Sequence, residues 1–277
     1  VTSFRLRAAA MLAAAVLGAG CAAPGPAPAA LGAAFAGRPY VLLGEVHDNA
    51  IGQQQRLDAL TRAVAQGWRP AIAMEQFDRE RQADIERARR ERPRDADYLI
   101  AQAGGGAWQW PLYQPVVALA LHYDLPLVAA NLSRADAGKI VRGGLDGLFS
   151  ADEQQQLGLT GALPPDLVAA QTAALDRGHC GNFPRAMLPG MLAAQAARDA
   201  VMAQALRPYA GRGAVLIAGN GHVRRDVGVP RWLGGEAGQA LSIGYVENAP
   251  DKGEFDMAVL VPAVERKDPC PQAKPAG

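Results

Sequence analysis

Glu45 and His47 stand two positions apart in Val41-Leu42-Leu43-Gly44-Glu45-Val46-His47-Asp48-Asn49, directly after a short apolar run. In an extended chain that spacing puts both side chains on one face. A carboxylate and an imidazole so placed can form a metal site, an acid/base pair or the polar wall of a pocket. Asp48 or Asn49 can instead simply cap the following helix, with His47 a hydrogen-bonded loop residue. Three further apolar runs close on polar groups. Pro70 to Met74 ends in Glu75-Gln76, Pro126 to Ala130 ends in Asn131, and Ala214 to Gly219 ends in Asn220-Gly221-His222-Val223.

If these runs are parallel strands, their carboxyl ends converge in space, where α/β sheets gather ligands and chemistry. Glu45, His47, Glu75 and His222 then share one pocket, with Asn131 and Asn220 on its wall. Two imidazoles with one or two carboxylates suit Zn²⁺, Mn²⁺ or Fe²⁺, and His47, Glu75 and His222 are the metal candidates. Without a metal, a His/Glu pair can act as general base and the second histidine as acid. No Ser nucleophile elbow, P-loop, GxGxxG or C-x-x-C-H occurs, so serine hydrolase, nucleotide-binding and c-type cytochrome readings lack support.

The elements that must position these groups are legible from periodicity. Gln53 to Gln66 reads as an amphipathic helix with Leu57, Leu60, Val64 and Ala65 inward, and Gly67 ends it. Arg79 to Arg92 is a charged helix with a solvated face. Asp95 to Ala103 and Leu112 to Tyr123 read as helices on either side of Gly104-Gly105-Gly106 and the Trp108, Trp110, Tyr113 cluster. That cluster is most simply a packed corner, though it would also wall a pocket for a flat ligand. From Arg134 to Arg212 every segment reads as helical, and Met187, Met191 and Met202 are core filler rather than ligands. Leu241 to Val246 and Phe255 to Val261 look like a closing pair of strands at an antiparallel edge. The expected class is α/β: a mainly parallel sheet flanked by helices, with an inserted small helical subdomain. Residues 38–133 and 212–265 form the α/β domain, 134–211 the helical insertion, and 266–277 a tail.

The chain has 277 residues, about half of them apolar, and a formal net charge of +1. That length supports one large domain with a real core. No basic cluster interleaved with aromatics is present, which argues against a nucleic-acid partner. Arg5 and Arg7 precede an apolar run from Ala8 to Gly20, the pattern of a secretory signal over residues 1–20. Leu17-Gly18-Ala19-Gly20-Cys21 resembles a bacterial lipobox, with Gly18 in place of the usual leucine, so Cys21 is the expected lipidation site. Residues 21–37, rich in Pro, Ala and Gly, then read as a flexible tether. With Cys21 modified, Cys180 and Cys270 remain as an even pair that an oxidising compartment can bridge. Two buried free thiols are the alternative.

Taken together, Gly44-Glu45-Val46-His47-Asp48-Asn49, Met74-Glu75-Gln76-Phe77, Ala130-Asn131 with Arg134, His179-Cys180-Gly181, Gln195 to Met202 and Gly219-Asn220-Gly221-His222-Val223 resemble the motif set of the ChaN-like lipoproteins. These are the haem-binding uptake branch of the Tiki/erythromycin-esterase-like superfamily. The resemblance runs from Arg38 to Cys270. It implies a parallel α/β domain with a small helical domain, and an iron-regulated surface lipoprotein carrying haem between paired monomers on an axial tyrosine. No motif marks that tyrosine. Tyr113 is selected because Trp108 and Trp110 offer flat apolar walls, with Arg134 and Arg142 as cations for the propionates. His179 is a further candidate for contact with haem.

The resemblance to the Tiki proteases implies something else. Gly44 to His47 and Gly219 to His222 both match a Gly-x-x-His spacing, and Glu75 supplies the acid. Carried over, His47 and His222 with Glu45 or Glu75 hold a divalent metal that activates water. Two functions therefore stand as expectations. One is an exported, outer-membrane-anchored, periplasm-facing lipoprotein that binds haem, as a homodimer around it, and assists uptake. The other is a metal-dependent hydrolase.

Overall fold

The computed structural model describes residues 28–267 and Cys270. The signal segment 1–20, Cys21 and the tether as far as residue 27 lie outside the described residues. Six strands form one sheet in the order β3-β2-β4-β1-β5-β6, every neighbouring pair parallel. They are β1 (Tyr40–Glu45), β2 (Ala71–Asp78), β3 (Leu127–Asn131), β4 (Ala214–Gly219), β5 (Ala240–Val246) and β6 (Met257–Leu260). The uninterrupted apolar character of β1 and β4 follows from this placement, because a central parallel strand is covered on both faces.

One face is covered by α1 (Pro28–Phe35), α2 (Ala50–Ala65), α3 (Gln82–Glu91), α4 (Ala96–Ala103) and α5 (Gln114–His122). There Val41, Leu43, Ile72, Met74, Val215 and Ile217 meet Leu60, Ile85, Leu99 and Val116. The stretch expected to be tether as far as residue 37 is helical from residue 28. Leu31 and Phe35 are buried in this core, so the segment is held by packing against α2. The inner stripe of α2 also departs from expectation. Gln53, Arg56, Ala59, Leu60 and Val64 are buried, and Leu57 lies at the margin.

The other face carries α9 (Leu188–Leu206), whose Met202, Ala203 and Leu206 pack on Leu42, Ala73 and Leu216. The same helix turns Ala194, Ala197 and Val201 towards Ile140 of α6 (Arg134–Gly143), Leu157 of α7 (Ala151–Leu157), and Phe149. Its small residues let α6 approach closely, and α8 (Pro165–Gly178) packs beside it. One helix thus serves as both sheet cover and core of the helical segment.

After β4 the chain makes a single helical turn, α10 (Asn220–Val223). The expected antiparallel edge is parallel instead. Asp256 is pinned to Ser242 near the start of β5 by bonds in both directions, N to O at 3.0 Å and Oδ2 from the Ser242 amide at 2.7 Å. The connection must therefore return to the amino end before β6 begins. The chain leaves β1 towards β2 and leaves β4 towards β5, in opposite directions. A crevice consequently opens above the carboxyl ends of the β4/β1 pair.

Candidate functional site

Strand alternation first separates the two acids. Glu45 continues the Val41/Leu43 face of β1, towards α2 and α5, whereas Glu75 continues the Ala71/Ala73 face of β2, towards α9. Each acid then collects its own partners, and the carboxyl rim of the sheet brings the two groups back into contact.

Glu45 is 3% exposed and fully engaged. One carboxylate oxygen accepts from Arg56, which is buried in α2 and also held by Gln53. The other accepts from the Tyr113 hydroxyl at 2.6 Å, His47 Nδ1 at 2.8 Å and Gln76 Nε2 at 3.2 Å. Because an ionised carboxylate only accepts, His47 carries its proton on Nδ1. Burial pushes the Glu45 pKa up, but the Arg56 charge and the bonds from His47 and Tyr113 outweigh it, and the carboxyl lies below its ordinary range. Gln53 also reaches the His47 carbonyl at 3.2 Å, so one buried polar cluster sets both the ring and the backbone of His47.

Glu75 sits across the sheet. Its Oε2 accepts the Gly219 amide at 2.7 Å and its Oε1 faces His222 Nε2 at 3.5 Å. The other ring nitrogen of His222 meets Asp199 Oδ1 at 2.6 Å. Burial opposes charge on this imidazole. The Glu75 and Asp199 carboxylates outweigh it and raise the His222 pKa to about 10. Glu75 responds in the opposite sense: against its burial, His222 and the Gly219 amide bring it down to about 2. Asp199 follows its burial and is pushed up, despite His222. Glu75 is therefore held ionised against its burial, opposite in sense to the shift of Asp199.

His47 joins the two groups. A Cβ on Gly219 would lie 3.0 Å from both Cε1 and Nε2 of the His47 ring, and 3.7 Å from Glu75 Oε2. The ring thus lies over the Gly219 backbone, where only a glycine leaves room. Burial lowers the His47 pKa, but the bond to Glu45 and the charges of Glu75 and Glu45 raise it overall. Its side chain is still 49% exposed, edge-on to Trp108 at 5.0 Å between ring centres.

Glu45, His47, Glu75 and His222 are thus brought together as two linked ion groups. Asn220 buttresses them from below: its Nδ2 donates to the Tyr245 carbonyl at 2.7 Å, and its side chain fills the space above Gly44. Asn49 caps α2 through the Gly52 amide, the simpler of the two roles open to that loop. Asn131 is placed elsewhere, donating to Asp78 at 2.7 Å on the β2/β3 side. Arg134 opens α6 on an exposed surface, and Arg142 lies in the last turn of the same helix.

Tyr113 faces inward. It is fully buried and its hydroxyl is spent on Glu45, because the corner made with Trp108 and Trp110 packs inward. The metal set also takes a different form. Among the described residues, no group of three or more His, Cys, Asp or Glu side chains is arranged to hold a metal ion. His47, Glu75 and His222 are close, but Glu75 is tied to the Gly219 amide and both imidazoles are tied to carboxylates.

Two residues of the site escaped the sequence reading as members of it. Arg56 falls on the buried stripe of α2, and the spacing Gln53, Arg56, Leu60 was its signal. Asp199 was visible as an acid within an alanine-rich run, one helical turn beyond Gln195.

A cleft of about 250 Å³ leads to His222 and Asp199. Ala174, Leu175 and Val227 supply apolar walls, and His179 stands exposed at its edge. His179 Nδ1 lies 2.8 Å from the Leu175 carbonyl and must donate to it, which leaves Nε2 unprotonated in the neutral ring. Phe183 packs edge-on against this ring at 4.8 Å. The next residue, Cys180, is within disulfide distance of Cys270, with Cα atoms 5.5 Å apart.

A sequence profile of the family described as "Haem-binding uptake, Tiki superfamily, ChaN" matches residues 31–233. Among solved structures, ChaN of Campylobacter jejuni, described with cofacial haem binding, superposes with a TM-score of 0.66 at 18% identity. The match covers 80% of this chain and 86% of that one. The type III effector HopBA1 matches with a TM-score of 0.48 at 13% identity, over 86% of this chain and 95% of its own. No curated protein sequence matches the chain.

Proposed function

Since the chain belongs to the haem-binding uptake family of the Tiki superfamily that includes ChaN, we propose that it binds haem and assists haem uptake as an exported, lipid-anchored protein. The observation that carries this at the level of the site is His179. It is exposed, its ring is oriented by a bond from Nδ1 to backbone, and its Nε2 has no protein partner among the described residues. That is how a histidine offered to a metal is ordinarily held: the second nitrogen donates to a carbonyl or carboxylate, which fixes tautomer and orientation. Haem iron accepts histidine as an axial ligand. His179 therefore takes the role first considered for Tyr113.

The residues around it fit part of a porphyrin. Sites that enclose a small molecule run to roughly 300–1,000 Å³, and the His179 cleft, at about 250 Å³, is below that. It takes one edge of the ring against Ala174, Leu175 and Val227 and leaves the rest uncovered. A second copy of the chain covering that remainder supports the homodimer reading. Export and anchoring rest on the signal-like N-terminus and the lipobox-like Leu17 to Cys21, which lie outside the described residues. The pairing of Cys180 with Cys270 is consistent with an oxidising, periplasm-facing location.

The alternative, a metal-dependent hydrolase at the rim, meets an obstacle. His222 is held between Asp199 at 2.6 Å and Glu75 at 3.5 Å, so a metal there would have to replace one of those contacts. Titration of the mature protein with haem, followed in the Soret region, tests the main reading. A saturable Soret shift is expected, lost in His179→Ala. No shift in the wild-type chain sinks the haem reading. A shift unchanged in His179→Ala sinks the ligand assignment alone.

A further inference from the structure

Beyond the carboxyl end of α9 lies a second cleft, of about 550 Å³. It is on the side of the sheet where β1 begins: Tyr40, the first residue of β1, donates to Glu236 at 2.9 Å, and Glu236 lies 3.9 Å from Arg207. The rim histidines sit at the other end of the strands. One wall is the connection between α7 and α8, which turns back on itself at Gly158 and Gly161, both in the left-handed region at φ 70° and 83°. Leu159 and Leu163 of this turn line the cleft together with Leu167 and Trp232.

Charge collects at the Trp232 end. Arg207 donates to the Trp232 carbonyl at 2.6 Å, and Arg231 is the preceding residue; both line the cleft. Neither guanidinium is neutralised in a buried pair. Arg231 meets Asp166 at 2.9 Å, but that carboxylate is 66% exposed, and Arg207 approaches Glu236 only at 3.9 Å. Exposed pairs of this kind are weak and yield to a better acceptor. The Trp232 indole N–H is buried without a partner among the described residues. An apolar slot ending in two available guanidinium groups matches an apolar body that ends in carboxylate.

We propose that this cleft binds an apolar carboxylate, the carboxylate on Arg231 and Arg207 and the apolar body along Leu159, Leu163 and Trp232. The inference does not depend on the haem reading. Only if the ligand is a porphyrin, whose two propionates match the two arginines, does it extend that reading into a resting site without an axial ligand.

The test uses two probes on the mature protein: metal-free protoporphyrin, followed by its fluorescence, and palmitate, followed by calorimetry. Removing the iron removes any contribution from His179, so the outcome is separate from the Soret titration. Saturable binding of either probe, weakened about tenfold in Arg231→Gln, as expected for loss of roughly 1.4 kcal/mol of charge-assisted bonding, supports the proposal and identifies the source. Ala162→Trp, on the exposed part of the loop, blocks the cleft without touching the core and should weaken binding similarly. Failure of both probes to bind overturns the proposal. So does binding that neither substitution alters.

Discussion

Asp199 and His222, 23 residues apart and on different elements, are joined at 2.6 Å between Oδ1 and Nδ1. This bond and Glu75 keep His222 protonated far above the ordinary imidazole range. The consequence for stability has a definite sign. The folded pKa of about 10 exceeds the ordinary 6.5, so the contribution is complete below about 6.5 and is lost as pH rises through 10. Glu75 behaves in reverse: its contribution is present above 4.5 and lost as pH falls towards 2. Urea unfolding measured across pH should therefore show stability declining between 6.5 and 10. Asp199→Asn should flatten that decline and lower stability by about 3–5 kcal/mol, the usual cost of breaking a buried pair.

Tyr113→Phe separates a structural tyrosine from a haem ligand. The substitution keeps the ring in its corner and removes only the bond to Glu45. A hydrogen bond to a charged group contributes about 1.5–3 kcal/mol, so the melting temperature should fall. The haem-induced Soret shift should persist unchanged. Loss of the shift with the fold intact would restore Tyr113 as a ligand.

Gly44→Ala tests the buttress beneath the rim. The added Cβ would lie 2.2 Å from Asn220 Oδ1 and 2.7 Å from Val223 Cγ2. Crowding in a packed site of this kind costs about 1–3 kcal/mol. Gly105→Ala meets nothing within 4 Å among the described residues and serves as the control. Denaturant midpoints of the two variants should differ accordingly, and equal midpoints would show that Asn220 is not wedged against Gly44.

A bridge between Cys180 and Cys270 would close a loop spanning 90 residues in sequence. Chain-entropy reasoning gives a bridge of that span up to about 4–5 kcal/mol. Intact mass under non-reducing conditions should be 2 Da below the thiol form, as two hydrogens are lost on oxidation. Adding reductant should lower the unfolding midpoint in the wild type and leave Cys270→Ser unaffected. Two titratable thiols in protein isolated from an oxidising compartment would contradict the pairing.

Much of this molecule was legible in its sequence because the signals are local. Apolar runs closing on Glu45, Glu75, Asn131 and His222 mark parallel strands, and periodicity places most of the helices between them. The Gly-x-x-His spacings pointed to the histidines that meet at the rim, since strand ends converge wherever a sheet is parallel. Tertiary structure alone decided how those groups are used. Alternation along β1 and β2 sends Glu45 and Glu75 to opposite faces, and pairing with Arg56 and Asp199 depends on which helix covers each face. The burial of Tyr113 and the exposure of His179 were undecidable for the same reason. An aromatic beside tryptophans and a histidine beside a cysteine have no fixed depth until distant segments pack around them.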